Sequence, residues 1–337
     1  MPPPPPPKPG VIPLAPLSLG DVIGGSMSTV GRYWKQLFGI AVLMYGGALL
    51  VTLAAVLVAY SATSDTLSKV VDIDEYDESF GSDVAAPLIV AFALVCVVAV
   101  LAMVVASAAI MAACPAVLQD AILGRRTTLG TVWRRSWGRV PAVIGAMLLP
   151  WLVAALVMGV FLGSYVLLIV SFTSDDVPGA WVALGFVLML ACFPVAVWVW
   201  VTFSLAPAAV VFESQRPVAA LRRSARLVKG SWWRIFGISA LAWLIATVAG
   251  YIVQFPLTII GMLTSMPGMA GAGADPSAGE ALTAMAGYLL FIMLGSIISQ
   301  IIATTYPQVV TGLLYVDQRI RRENLAPALA EAAGAPH

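Results

Sequence analysis

The stretch Pro217-Val218-Ala219-Ala220-Leu221-Arg222-Arg223-Ser224-Ala225-Arg226-Leu227-Val228-Lys229-Gly230-Ser231-Trp232-Trp233-Arg234 separates two long apolar runs and holds five of the chain's 18 Lys and Arg residues. Pro217 suits the first turn of a helix and Gly230 its C-terminal cap. Between them Val218, Leu221, Ala225 and Val228 recur at helical spacing, which leaves Arg222, Arg223, Arg226 and Lys229 on the polar face or its borders. A short cationic amphipathic helix of this kind belongs in the headgroup layer of a bilayer. Ser231 can cap the following helix, and Trp232 and Trp233 fit the aromatic belt.

The flanking runs, at 180–211 and 235–264, have four counterparts at 36–60, 84–114, 140–172 and 281–314. Each exceeds the roughly 20 apolar residues that a helix needs to cross a bilayer. Composition agrees: 60% of residues are hydrophobic and 10% charged, where soluble domains carry about 25% charged residues. The expected class is therefore an all-α polytopic membrane protein with six transmembrane helices, which leaves no room for a soluble catalytic domain. The expected organisation is a Pro-rich disordered tail at 1–16, a membrane domain at 17–322 and a flexible cytoplasmic tail at 323–337. The hexaproline run Pro2 to Pro7 cannot serve as the apolar region of a cleavable signal, so the first span is expected to act as its own insertion signal.

Charge orients the chain. Seventeen of the 18 cations fall before span one or after spans two, four and six, together with six acids, a balance of +11; Lys69 alone lies on the other side, with 11 acids, a balance of −10. The excess of Lys and Arg in cytoplasmic segments puts both termini inside the bacterial plasma membrane. The basic side would then face anionic lipid, at roughly 1 kcal/mol per nearby cation, and nucleic-acid binding explains the pattern less economically.

A threefold internal pattern runs through the spans. Pro115, Pro207 and Pro307 recur at the inner ends of the even-numbered spans, 92 and 100 residues apart, each followed by an acid: Asp120, Glu213 and Asp317. The odd-numbered spans open with Tyr33-Trp34-Lys35, Trp137-Gly138-Arg139 and Trp232-Trp233-Arg234, followed by Gly39, Gly145 and Gly237. This predicts three pseudo-repeated units, each an interfacial amphipathic helix plus a transmembrane hairpin.

Three motifs carry a resemblance to a known family: Pro16-Leu17-Ser18-Leu19-Gly20-Asp21, Pro217-Val218-Ala219-Ala220-Leu221-Arg222-Arg223-Ser224 and Leu314-Tyr315-Val316-Asp317-Gln318-Arg319-Ile320-Arg321-Arg322-Glu323. Over roughly residues 16–325 the chain resembles an actinobacterial membrane family, similar to the membrane domain attached to some glycerophosphoryl diester phosphodiesterases. The resemblance implies topology and a lipid-related setting. It does not bring catalysis, because the phosphodiesterase barrel is a separate domain.

No paired zinc ligands, intramembrane aspartate pair or serine with a base appears in the spans, so no enzyme, cofactor or metal site is expected. Cys96, Cys114 and Cys192 read as packing residues, and the acidic run from Asp72 to Glu78 lacks EF-hand spacing. Two candidate sites remain. Arg222, Arg223, Arg226 and Lys229 form a candidate anionic-lipid contact. Ser296, Gln300, Thr304 and Gln308, at every fourth position of span six, form with Gln254 a polar seam that either packs helices or lines a path. The close pair Gly159 and Gly163 is expected to seat a neighbouring helix. The function that follows is a non-enzymatic scaffold or accessory protein in membrane-lipid or envelope processes. The alternatives are a carrier or transporter subunit for a lipid or small molecule, and a membrane accessory of a separate enzyme; the expected partners are membrane lipids and a membrane protein or enzyme.

Overall fold

The computed structural model describes residues 10–13, 15–71, 82–125, 127–173, 178–270, 278–323, 327 and 331. The hexaproline run, Lys8, the acidic run 72–78, Arg126, Asp175, Asp176, Asp275 and His337 lie outside them, as do the side chains of Lys69, Asp83 and Glu280.

Among the described residues the chain is all-helical: α1 (Leu19–Val71), α2 (Ser82–Ile122), α3 (Leu129–Trp137), α4 (Val140–Thr173), α5 (Gly179–Phe203), α6 (Ala206–Glu213), α7 (Pro217–Val228), α8 (Trp232–Ala270) and α9 (Ala278–Glu323). Six segments are long and apolar enough to cross a membrane: Leu19–Thr66, Ala85–Ile122, Val140–Ser171, Gly179–Glu213, Trp232–Ser265 and Met285–Glu323. Most contacts between helices join sequence neighbours, α1 with α2, α4 with α5 and α8 with α9.

Each hairpin is preceded by a short helix that ends at an aromatic-basic junction. In α1 the helix breaks at Tyr33, whose φ of −116° and ψ of 24° are non-helical. α3 stops at Trp137, ahead of Gly138, and α7 ends before Gly230, whose φ of 85° suits a residue without a Cβ. An exposed tryptophan stands at each junction, Trp34, Trp137 and Trp233, as in the belts that sit at headgroup level.

The fourth span departs from the sequence reading. It is split into α5 and α6 at Ser204 and Leu205, because Pro207 has no N–H to give and its ring opposes a helical carbonyl at Phe203. The helices α2, α4, α5 and α9, by contrast, continue through Pro115, Pro150, Pro194 and Pro307.

The core lies at the basic end of the bundle. α6, buried from Ala206 to Val211, is packed among α2, α4, α7 and α9, and the alanines Ala108, Ala109, Ala112, Ala113 and Ala116 of α2 allow close backbone approach there. Away from this end fewer side chains are buried, and Leu53, Phe92, Leu156, Leu190, Ile252 and Leu290 are exposed. In water such a surface would be a liability; in a bilayer it faces acyl chains.

Two expectations are corrected. Val11 and Ile12 are buried in the core and the Val11 N–H donates to the Ala121 carbonyl at 3.3 Å, so the stretch 10–13 is packed rather than part of a disordered tail ending at 16. Apolar side chains and a backbone N–H with an acceptor in reach give it reasons to dock. Gly159 and Gly163 are exposed and would meet nothing within 4 Å if given a Cβ. A close glycine contact of this hairpin is instead at Gly185, where a Cβ would come 3.2 Å from Leu167.

Candidate functional site at the basic rim

The three motifs quoted above, with contacts spanning up to 304 residues of sequence, meet at the basic end. Ser18 and Asp21 cap α1 reciprocally: the Asp21 N–H donates to Ser18 Oγ at 3.1 Å and the Ser18 N–H to Asp21 Oδ2 at 2.9 Å. This fixes Leu17, whose side chain is buried and whose N–H donates to Asp317 Oδ1 at 2.9 Å. The Leu17 carbonyl accepts from both Arg234 and Arg321, each at 2.7 Å. Asp317 is fully buried, and its carboxylate is paired with the same two arginines, with Arg321 Nε at 2.9 Å. Two cations and a backbone donor satisfy a carboxylate that burial alone would make costly.

A second knot joins the central motif to the last. Arg223 of α7 donates to Glu213 at the end of α6, at 2.9 Å, and is paired with Glu323 of α9. Tyr315 donates its hydroxyl to Glu213, and Arg319 bridges Glu213 at 3.3 Å and Glu323 at 3.0 Å. Burial opposes the charge on Arg223, but the two carboxylates hold its pKa above the usual arginine value. A little further along, Arg322 clasps the carbonyls of Arg226 and Lys229 at the end of α7.

The third acid, Asp120 at the end of α2, meets Arg135 of α3 at 3.3 Å on the surface. A pattern emerges: Asp120 reaches the short helix that precedes the second hairpin, Glu213 the one that precedes the third, and Asp317 the chain just before α1. Glycines mark the same seams. A Cβ on Gly39 of α1 would come 2.7 Å from Leu129, the first residue of α3, and one on Gly145 of α4 would come 2.8 Å from Pro217, the first residue of α7. Gly237 of α8 faces open space.

The candidate lipid contact divides. Arg222, Arg226 and Lys229 are exposed, whereas Arg223 is half-buried in the Glu213 knot. The buried face of α7 is also turned from the expected one: it comprises Ala220, Leu221, Ser224, Leu227 and Val228, while Val218 is 60% exposed. Ser224 Oγ donates to the Thr202 carbonyl at 2.7 Å, so a polar residue faces inward and the helix is seated on protein instead of floating on its apolar stripe.

The seam winds. Side chains four apart advance about 40° around a helix of 3.6 residues per turn, so Ser296 and Gln308 cannot face the same neighbours. Ser296 and Gln300 line a groove of about 220 Å³ with Gln254 of α8 and a second, of about 510 Å³, with Tyr45 and Thr52 of α1. Thr304 and Gln308 line a separate cavity of about 230 Å³ against Trp151, Trp200 and Trp243. The hydroxyls of Ser296 and Thr304 donate back to carbonyls of α9, at 2.9 and 2.8 Å.

Cys114 and Cys192 are buried and Cys96 half-buried, all unpaired, and no three His, Cys, Asp or Glu side chains converge among the described residues. The acids Glu213 and Asp317 stood out in the sequence as followers of proline; of their partners, Arg223 was read as a lipid contact, and Arg234, Arg319 and Arg321 as junction, motif and topological charge. Nothing in local spacing says that Asp317 meets Leu17.

These features define a class: an all-helical chain with six helices long and apolar enough to span a membrane, pinned at one rim by carboxylate-arginine knots. The chain belongs to the family described as a domain of unknown function, DUF7847, which matches residues 80–309, from the start of α2 to within α9. Neither a curated protein nor a solved structure matches the chain.

Proposed function

We propose that the protein is a non-enzymatic scaffold or accessory of the bacterial plasma membrane, acting in membrane-lipid or envelope processes, with its basic rim and both termini in the cytoplasm. The observation that carries this reading is the convergence of the three motifs on interlocked ion pairs: they fasten α1, α6, α7, α8 and α9 to one another and hold the cytoplasmic end as a fixed frame. Three hairpins, each introduced by a short helix that breaks at an aromatic-basic junction, support a threefold pseudo-repeat. In it each acid reaches the unit that follows, and Asp317 closes the ring onto Leu17. The likeness of the motifs to the membrane domain of glycerophosphoryl diester phosphodiesterases adds a setting in phospholipid metabolism, with catalysis left to a partner enzyme.

A carrier is the second reading, favoured by the grooves on either side of Gln300. The two readings part in proteoliposomes. A scaffold leaves lipid flux at background and co-purifies with a partner enzyme or bound lipid after gentle extraction; a carrier supports flux that Gln300→Leu abolishes.

A further inference from the structure

Along α7, Val218, Arg222 and Arg226 follow one another at single-turn intervals on the exposed face. Beside this row, at the level of Val218 and Arg222, lies an open groove of about 580 Å³ whose other walls are Leu148, Leu149 and Leu152 of α4 and Phe203 at the end of α5. The three leucines are each about half exposed, and apart from Arg222 every side chain on the groove's walls is apolar. Arg222 is therefore the one charged side chain on the wall of an otherwise apolar groove. Unlike Arg223 one position on, neither Arg222 nor Arg226 has a carboxylate partner among the described residues.

We propose that this groove is a phospholipid site, occupied by an anionic phospholipid whose phosphate is held by Arg222 and Arg226 and whose acyl chain lies along Leu148, Leu149 and Leu152. The proposal rests on the reading that the basic rim faces anionic lipid, and goes beyond it by replacing diffuse attraction with one seat. Guanidinium groups chelate phosphate oxygens bidentately, and an arginine that snorkels at the edge of an apolar wall suits a molecule charged at one end and greasy at the other. Charge complementarity and the apolar walls of the groove select the same occupant. A free phosphate would leave the leucine channel empty, and an uncharged lipid would leave the arginines without a counter-charge. Gly145 is part of the seat, because a Cβ there would come 2.8 Å from Pro217, so its absence lets α7 lie against α4 beside the groove.

The test is native mass spectrometry of the full-length protein in detergent, titrated with dioleoyl phosphatidylglycerol and, in parallel, with dioleoyl phosphatidylcholine. The wild type should retain one phosphatidylglycerol at least tenfold more tightly than later additions. Arg222→Gln with Arg226→Gln should remove that preference, and so should filling the channel with Leu149→Trp or, independently, Val218→Trp, which leave every charge in place. Arg32→Gln with Lys35→Gln removes two exposed rim cations elsewhere and should leave the tight adduct intact. Inorganic phosphate in large excess should fail to displace it. The proposal is overturned if the Arg32 and Lys35 pair matters as much as the Arg222 and Arg226 pair, if both tryptophan variants keep the adduct, or if inorganic phosphate competes. If the wild type binds the two lipids equally, the broader reading of the basic rim falls with it.

Discussion

Asp317 is where the fold concentrates its electrostatic risk. Its side chain is fully buried, while those of Arg234 and Arg321 are 31% and 38% exposed. Removing the carboxylate leaves the Leu17 N–H without its acceptor and takes from both arginines their shared counter-charge, leaving them the Leu17 carbonyl, and breaking a buried pair in this way costs about 3–5 kcal/mol. Because the arginines can turn to water, the lower end applies: Asp317→Ala should destabilise by ~3 kcal/mol, read as a marked fall in thermal midpoint in detergent. Asp120→Ala is the control within the same chain. Its partner Arg135 is 52% exposed, so the loss should stay below about 1 kcal/mol. If both variants unfold at the same temperature, the Asp317 knot does not hold the rim. Sequence alone could place Asp317 at the inner end of a span, because proline and basic residues bracket it, but it could not rank three similar acids. That ranking depends on burial, which for Asp317 comes from residues near the other end of the chain.

At the scale of elements, the short helices are held by contact with the hairpins before them. Gly145 is the sharpest example, since even a methyl group there would press into Pro217. Gly145→Ala should therefore cost about 1–3 kcal/mol by overpacking and loosen α7, raising proteolysis in the α6–α7 connection. Gly237→Ala, equivalent in sequence pattern but facing open space, should be neutral or stabilising by up to ~1 kcal/mol, because alanine is the better helix former. Equal effects at the two positions would remove the seating role. Ser224→Ala should cost about 1 kcal/mol by leaving the Thr202 carbonyl without its donor. The existence of α7 was plain from Pro217, Gly230 and its period, yet its orientation was not. Leu221 and Val228, read as part of an apolar stripe, are buried, but the period could not say that Ser224 would face protein and Val218 would face out. Helical spacing fixes which residues share a face and leaves open what that face meets. The seam in α9 shows the same limit, since its every-fourth spacing hides a drift that carries Thr304 and Gln308 to a different cavity from Ser296 and Gln300.

For the whole molecule, composition and charge said most. Six long apolar segments and the confinement of cations to alternate connections follow from the bilayer's thickness and its aversion to charge, which act on any chain regardless of how its helices pack. What could not be foreseen was the concentration of buried side chains at the basic rim, because it is built around α6, an element that the sequence hides within the fourth span. Six crossings with cations on alternate connections require the two rims to lie on opposite sides of one membrane. In a variant with Cys96, Cys114 and Cys192 replaced by alanine, a single cysteine is introduced at Ser64, near the end of α1, or at Arg216, just before α7, and intact cells are treated with a membrane-impermeant maleimide. Ser64→Cys should label in intact cells and Arg216→Cys only after permeabilisation. Labelling of both from outside, or of Arg216→Cys alone, would contradict the account.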